Sequence, residues 1–423
     1  MWKVLFPVAL AAFIGWLLRL DMTPSSCNGD ETLSFRASNG KISKLDPCES
    51  FSDSYQQART RFRDLAKKFG TVDSLTVYKN LTMDIAVIPG NQPGLVIHSS
   101  GVHGVEGYAG SAIQIALLQT LEVAFEDRPT LILVHAINPY GMHNFRRPNE
   151  NNVDLNRNAL TDEEWQSYAG PSHYNQDSYR AFDGLFNPNY APTKVDAFLT
   201  FWVKALDAIR RHGIPTLKAA MVGGQYYKPQ GIFYGGNKRE ASITILEDWL
   251  DQFLEANDVY QEQTVTWVDV HTGLGKAGED TILAELDDDA EKQDFSQEIP
   301  KWFPDSHDPA NSANAQEVNA GYEEVRGCVA TYFCRKFRHG FCFVLEFGTA
   351  PNVAVAHALV LENAAHHYLP EDQALSWAQQ TSRRAFYTPT ATWRASILRR
   401  GMAVLEQAMN RSMTLSKGEN TQG

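Results

Sequence analysis

A histidine and a carboxylate three residues apart, bracketed by glycines, stand in Ser100-Gly101-Val102-His103-Gly104-Val105-Glu106-Gly107. Both side chains can reach one cation if the turn between them is tight, and the flanking glycines permit such a turn. A second histidine, His271, sits in Trp267-Val268-Asp269-Val270-His271-Thr272-Gly273, again at the end of an apolar run and ahead of a Gly-rich turn. Two histidines, one glutamate and an open fourth position form a catalytic zinc arrangement. His103, Glu106 and His271 are therefore read together as metal ligands. Each is weak alone: His-x-x-Glu is a short pattern, and a strand-end histidine can simply bond a backbone carbonyl. Glu346 interrupts the apolar run Phe343-Val344-Leu345-Glu346-Phe347. Burying an unpaired carboxylate is costly, so it needs a cation or a polarised water beside it, which makes it a candidate general base. An ion pair with a core arginine is the alternative.

Between these groups lie Asn138-Pro139-Tyr140-Gly141 and the run Phe145-Arg146-Arg147-Pro148-Asn149-Glu150-Asn151-Asn152-Val153-Asp154-Leu155-Asn156-Arg157-Asn158. Such a density of Arg and Asn suits fixing an anion and polarising a carbonyl. A solvated polar loop accounts for it equally well.

The elements that must position these residues read as a β-loop-α-β core. Leu95–His98 and Leu131–Ile137 are short continuous apolar runs, as expected of strands buried on both faces of a parallel sheet, and Tyr108–Phe125 between them is helical. Both histidine motifs follow strands, and open α/β sheets collect ligand groups at the carboxyl ends of their strands. We expect helices over Tyr55–Phe69, Thr193–His212, Glu240–Ala256, Val353–Tyr368 and Thr390–Met409. Strands are expected over Leu81–Ile88, Lys218–Val222, Val265–Val270 and Phe341–Phe347. Thr161–Asn187 reads as an irregular excursion bordering a pocket, and residues 411–423 as a loose polar tail.

The 423 residues are 43% hydrophobic and 21% charged, the composition of a folded globular chain, here expected to form one large domain over residues 50–410. A formal charge of −12 argues against nucleic acid as a partner, since phosphate binding needs clustered Lys and Arg. Residues 1–22 differ in kind: Lys3, an apolar run from Val4 to Leu18, then Arg19. That run is shorter than a comfortable bilayer span and favours a signal peptide, with an uncleaved signal-anchor, and so membrane anchoring, left open. Sequons at Asn80 and Asn410 suit a glycoprotein of the secretory pathway, secreted or membrane-anchored. The five cysteines allow one or two disulfides with one thiol over, and contain no C-x-x-C pair for a thiolate zinc site. Gly273-Leu274-Gly275-Lys276-Ala277-Gly278 matches a dinucleotide fingerprint but runs into Glu279-Asp280 with no apolar helix behind it. His366-His367 reads as a helix-end pair, and the lack of G-x-S-x-G speaks against a serine hydrolase.

The ordered set His103-x-x-Glu106, Asn138-Pro139-x-Gly141, Phe145-Arg146-Arg147, Val153-Asp154-Leu155-Asn156-Arg157-Asn158, His271 and Glu346 resembles the zinc carboxypeptidase superfamily. The His-Gly-x-Glu form is similar to its succinylglutamate desuccinylase/aspartoacylase branch. The run through Asn158 resembles an uncharacterised carboxypeptidase-like family with a domain of unknown function. The resemblance implies a mixed, mostly parallel α/β sheet flanked by helices, and Zn2+ held by His103, Glu106 and His271. It further implies that Arg146 polarises the scissile carbonyl and that Asn156 and Arg157, with Arg147 beside them, hold a substrate carboxylate. Asp154 would orient a ligand imidazole, and Glu346 would deprotonate the attacking water. The implied activity is cleavage of an amide bond next to a free carboxylate in a small peptide. The alternatives are an aspartoacylase-type deacylase of N-acyl amino acids and a catalytically inactive zinc-binding module. The interval of 165 positions from Glu106 to His271 is longer than in pancreatic-type enzymes, so the loops around the pocket must be enlarged or rebuilt. Tyr226, Tyr227 and Tyr234 are the local candidates for the tyrosine that lines the pocket in digestive members.

Overall fold

A computed structural model describes residues 32–36, 42–124, 127–168, 176–283, 295–306 and 325–419. The apolar segment 1–22 lies outside them. Strands β1 (Leu33–Arg36) and β2 (Ile42–Leu45) form a small antiparallel ribbon. The main sheet comprises β3 (Thr71–Tyr78), β4 (Leu81–Ile88), β5 (Leu95–Ser100), β6 (Thr130–His135), β7 (Thr264–Ala277), β8 (Asp280–Leu283) and β9 (His339–Gly348), in the order β3-β4-β6-β5-β7-β9-β8. Its four central strands are mutually parallel, while β3, β4 and β8 join antiparallel at the edges.

The principal helices are α1 (Tyr55–Ala66), α2 (Gly107–Ala124), α3 (Phe201–His212), α4 (Ile214–Val222), α5 (Ala241–Ala256), α6 (Asn352–Tyr368), α7 (Glu371–Phe386) and α8 (Ala391–Glu419). Alternation along the strands divides the core between two faces. Val96, Leu131, Leu133, Val268 and Val270 pack with Ile113, Leu117, Ile397 and Leu405 of α2 and α8. Leu95, Ile97, Ile132, Val134, Val265 and Trp267 pack with Ile243, Leu246, Leu250 and Leu254 of α5. Each such side chain stabilises the fold by about 1.5–3 kcal/mol on burial, which is why these strands carry apolar residues at consecutive positions.

Three expectations are corrected. Lys218–Val222 is not a strand but the end of α4, which Gly213 and Pro215 open with the Pro fixed at its first turn. Thr161–Asn187 contains three short helices among its described residues. The tail is helical through Glu419, because its serines find buried partners: Ser412 Oγ donates to Leu95 O, and Ser416 Oγ accepts from Thr264 N. Cys334 and Cys342 are bridged, and Cys328 is a buried thiol. The dinucleotide-like Gly273–Gly278 run is the end of β7 and the turn that carries the chain across β9 to β8, and His366-His367 lies in the last turn of α6. No helix among the described residues is long and apolar enough to cross a membrane.

Candidate metal centre

The parallel strands deliver the candidate groups to one edge. Ser100 at the end of β5 is level with Val270, so the loop after β5, carrying His103 and Glu106, opens beside His271. One strand further, His271 and Glu346 share a register position. The β5 loop is held by close backbone packing: Gly104 N donates to Arg147 O and Val105 N to Arg146 O. A Cβ on Gly104 would lie 2.0 Å from the Gly141 carbonyl carbon, so only glycine fits there. Asn138-Pro139-x-Gly141 is the other half of that contact. Asn138 caps the short helix Pro139–Asn144 by accepting from Gly141 N, and it donates to Arg147 O.

His103 Nδ1 and His271 Nδ1 lie 3.0 Å apart. Glu106 Oε1 is 3.0 Å from the first nitrogen and its Oε2 is 3.1 Å from the second. All three side chains are buried, and their ligand atoms form a cluster able to hold a metal ion. Behind the rings, His103 Nε2 meets Asp154 Oδ1 and His271 Nε2 meets Asp269 Oδ2, each at 2.9 Å. Ionised carboxylates only accept, so they place the ring protons on Nε2 and leave a bare lone pair on each Nδ1. With both rings neutral, two lone pairs and a carboxylate converge on one point and repel one another. A cation resolves that conflict. The separations approach the roughly 3.3 Å edge of a tetrahedron with 2.0–2.1 Å bonds.

Charge agrees with this fit. Glu106, Asp154, Asp269 and Glu346 set four formal negative charges against Arg147 and Arg157, which leaves the formal balance of a divalent cation. Burial alone would raise the Glu106 carboxyl, but His103 and His271 hold it well below the usual range. Burial would likewise lower His271, yet Asp269 and Glu106 drive it well above the ordinary imidazole value. The cluster thus favours positive charge at its centre.

Glu346 is buried, and its Oε1 accepts from Leu274 N at 2.8 Å. Burial and the neighbouring Glu106 carboxylate push it up to about 7, against the pull of His271. No core arginine pairs with it among the described residues.

The arginines divide differently from the sequence expectation, which gave Arg146 the scissile carbonyl. Arg146 is fully buried away from the cavity, with Nε donating to Glu362 Oε1 at 2.6 Å and Nη2 to Asn152 Oδ1. Glu362 on α6 draws it there. Arg147 takes the open side instead: it pairs with Asp154, approaches Glu106 Oε1 at 3.7 Å and lies 4.3 Å over the Phe233 ring. Asn156 and Arg157 also line the cavity. Arg157 donates to Val222 O and Asn156 O but meets no carboxylate within ion-pair distance among the described residues. Asn156 Oδ1 accepts from Val329 N, which leaves its NH2 group as the donor it can offer.

The other asparagines are structural. Asn149 and Asn151 hold Glu240, Asn152 holds the Pro229 and Gly231 carbonyls, and Asn158 holds those of Gly235 and Lys238. Tyr226, Tyr227 and Tyr234 do not line the cavity; Phe233 does. Asp269 was missed by sequence reasoning, although its position two residues before His271, on the same strand face, was the available signal. It is fixed in turn by Ser99 Oγ at 2.7 Å.

The fold and site define an α/β protein with a buried two-histidine, one-glutamate metal-binding cluster at the carboxyl edge of its parallel strands. The chain belongs to the family described as protein of unknown function (DUF2817), whose model matches residues 51–400. No curated protein matches the sequence. Among solved structures, it is similar to bovine thrombin-activatable fibrinolysis inhibitor in complex with tick carboxypeptidase inhibitor, at 9% identity over 84% of this chain and 98% of that one, TM-score 0.41. A metallo-carboxypeptidase from Pseudomonas aeruginosa matches at 13% identity over 90% of this chain and 79% of that one, TM-score 0.35. Murein-tripeptide amidase MpaA from Escherichia coli O157 matches at 14% identity over 73% and 98% respectively, TM-score 0.32.

Proposed function

We propose that the protein is a zinc-dependent hydrolase that cleaves an amide bond next to a free carboxylate. The observation that carries this reading is the convergence of His103 Nδ1, His271 Nδ1 and Glu106 within 3.1 Å of one another, with the Glu346 carboxylate on the adjoining strand. Bound zinc would polarise the amide carbonyl and lower the pKa of a water.

The chain's own residues do the rest. Asp154 and Asp269 hold the imidazoles in the tautomer that presents Nδ1. Glu346, poised near neutrality, takes a proton from the attacking water and returns it to the departing amine. Arg147 brings positive charge to the cavity wall beside Glu106, where an oxyanion would develop. Arg157, with the NH2 group of Asn156, offers a cationic seat for the substrate carboxylate.

The direct test is metal content together with hydrolysis of peptides and N-acyl amino acids bearing free carboxylates. One zinc per chain, and turnover abolished by a chelator and restored by zinc, are expected. A zinc-loaded protein that hydrolyses none of them would instead establish the inactive metal-binding module. We further propose that the chain enters the secretory pathway, supported by the exposed Asn80 and Asn410 and the Cys334–Cys342 bridge. Glycosidase-sensitive mass on the expressed protein is expected, and an unmodified cytosolic product would refute it.

A further inference from the structure

The 164-residue stretch between Glu106 and His271 builds a wall as well as loops. A cavity of about 1220 Å³, counting its open mouth, runs from the metal cluster into a space lined by α3, α4 and α6. Its far part is apolar: Phe201 and Ile209 from α3, Leu217 and Met221 from α4, Val353 and Leu359 from α6. Most polar groups gather at the near end, where the candidate ligands, Glu346, Arg147 and Arg157 lie, while Lys218 of α4 brings one charged side chain to the farther wall. Phe201, Ala205 and Ile209 recur every fourth residue, so the apolar strip extends along α3 for roughly 12 Å at 1.5 Å per residue. That is longer than any single apolar side chain a peptide end would present, tryptophan included.

The mouth is apolar too. Ile214, at the start of α4, lines the cavity yet is 42% exposed. The start of α4 therefore keeps an apolar side chain at the water edge of an apolar cavity, an arrangement that suits a binding site rather than a core.

We infer that the cavity receives a long unbranched acyl chain, and that the substrate is a long-chain N-acyl amino acid. This rests on the amide-hydrolase reading for its reaction but not for its binding. The chain lies along α3, α4 and α6 with the amide at the cluster, and the amino-acid carboxylate meets Arg157. Hydrolysis places the water oxygen on the acyl carbon and breaks the C–N bond. The departing amine takes up the water's protons, which leaves a fatty acid and a free amino acid.

The test uses the whole chain and the fluorescent fatty acid cis-parinaric acid, displaced by saturated fatty acids of graded length. It is run on zinc-loaded and on chelator-treated protein. Expected is saturable binding in both states, tightening on the order of threefold per added methylene until the cavity is filled. Ala205→Trp should shorten the longest chain accommodated. Leu217→Asp, at a half-buried position of α4, should weaken long-chain binding at least tenfold. If Ala205→Trp does not fold, Leu217→Asp alone decides. With zinc, kcat/KM should favour N-palmitoyl over N-acetyl amino acids by at least a hundredfold. Chain-length-dependent binding without turnover would keep the cavity assignment and remove the hydrolase reading. Turnover indifferent to acyl length, with no saturable fatty-acid binding or with Leu217→Asp unchanged, would overturn the inference and leave the hydrolase reading standing.

Discussion

His271 and Glu346 occupy the same register position on the neighbouring parallel strands β7 and β9, so a proposed metal ligand and the proposed base stand one strand spacing apart. Thr281 of β8 pairs Glu346 from the other side, which fixes the carboxylate from both flanks. The base is held by strand pairing, among the most rigid supports a fold provides.

Glu346→Gln keeps the side-chain volume and removes the proton acceptor. Zinc content should stay at the wild-type level while kcat falls by about 10²–10⁴-fold, as general-base catalysis typically contributes. The base works only ionised, and its carboxyl is pushed up to about 7. Activity should therefore rise with pH along an acidic limb that inflects at or below about 7, since a bound cation pulls the value down. A pH–rate profile of wild type and variant checks both points, and an active Glu346→Gln enzyme would remove the base.

Asp269→Asn leaves His271 in place but weakens the grip on its Nε2–H. Zinc affinity should fall about 10–100-fold, the usual effect of losing a carboxylate behind a ligand imidazole. Competition with a calibrated chelator measures it, with circular dichroism to show that the fold persists. Unchanged affinity would mean that Ser99 and Asp269 serve packing alone.

Arg157→Ala should raise KM about 10–100-fold for substrates with a free carboxylate and little for their amidated counterparts, because a hydrogen bond to a charged group contributes roughly 1.5–3 kcal/mol. Equal effects on both series would take the carboxylate seat away from Arg157.

Stability should fall in mild acid. Burial lowers His98 and His135 to about 4 from 6.5, and His135 is stacked on Phe62 at 4.8 Å. Between those values the unfolded chain binds more protons than the folded one. Their contribution is thus complete above about 6.5 and is lost as pH falls toward 4. Thermal midpoints should drop by at least several degrees over that window, and less steeply in a folded His135→Gln variant. Parallel curves for the two proteins would acquit His135.

Much of the site was legible in the sequence because its signals are local. Buried parallel strands need consecutive apolar residues, so Leu95–His98, Val265–Val270 and Phe341–Phe347 stand out in the sequence, and with them the positions of His103 and His271 after strands and the interrupting Glu346. Other choices are made by residues far along the chain. Arg146 and Arg147 are chemically identical neighbours, and Glu362, 216 residues beyond, draws one into the core while the other turns to the cavity. Lys218–Val222 has the apolar density of a strand, and Pro215 with the packing against α3 makes it a helix. The tail is polar, but its serines are buried against β5 and β7, which no local pattern announces. The apolar cavity belongs to this second group. Its lining comes from α3 and α4 and, more than a hundred residues further on, from α6, and burial between elements depends on their packing, which periodicity within one element does not encode.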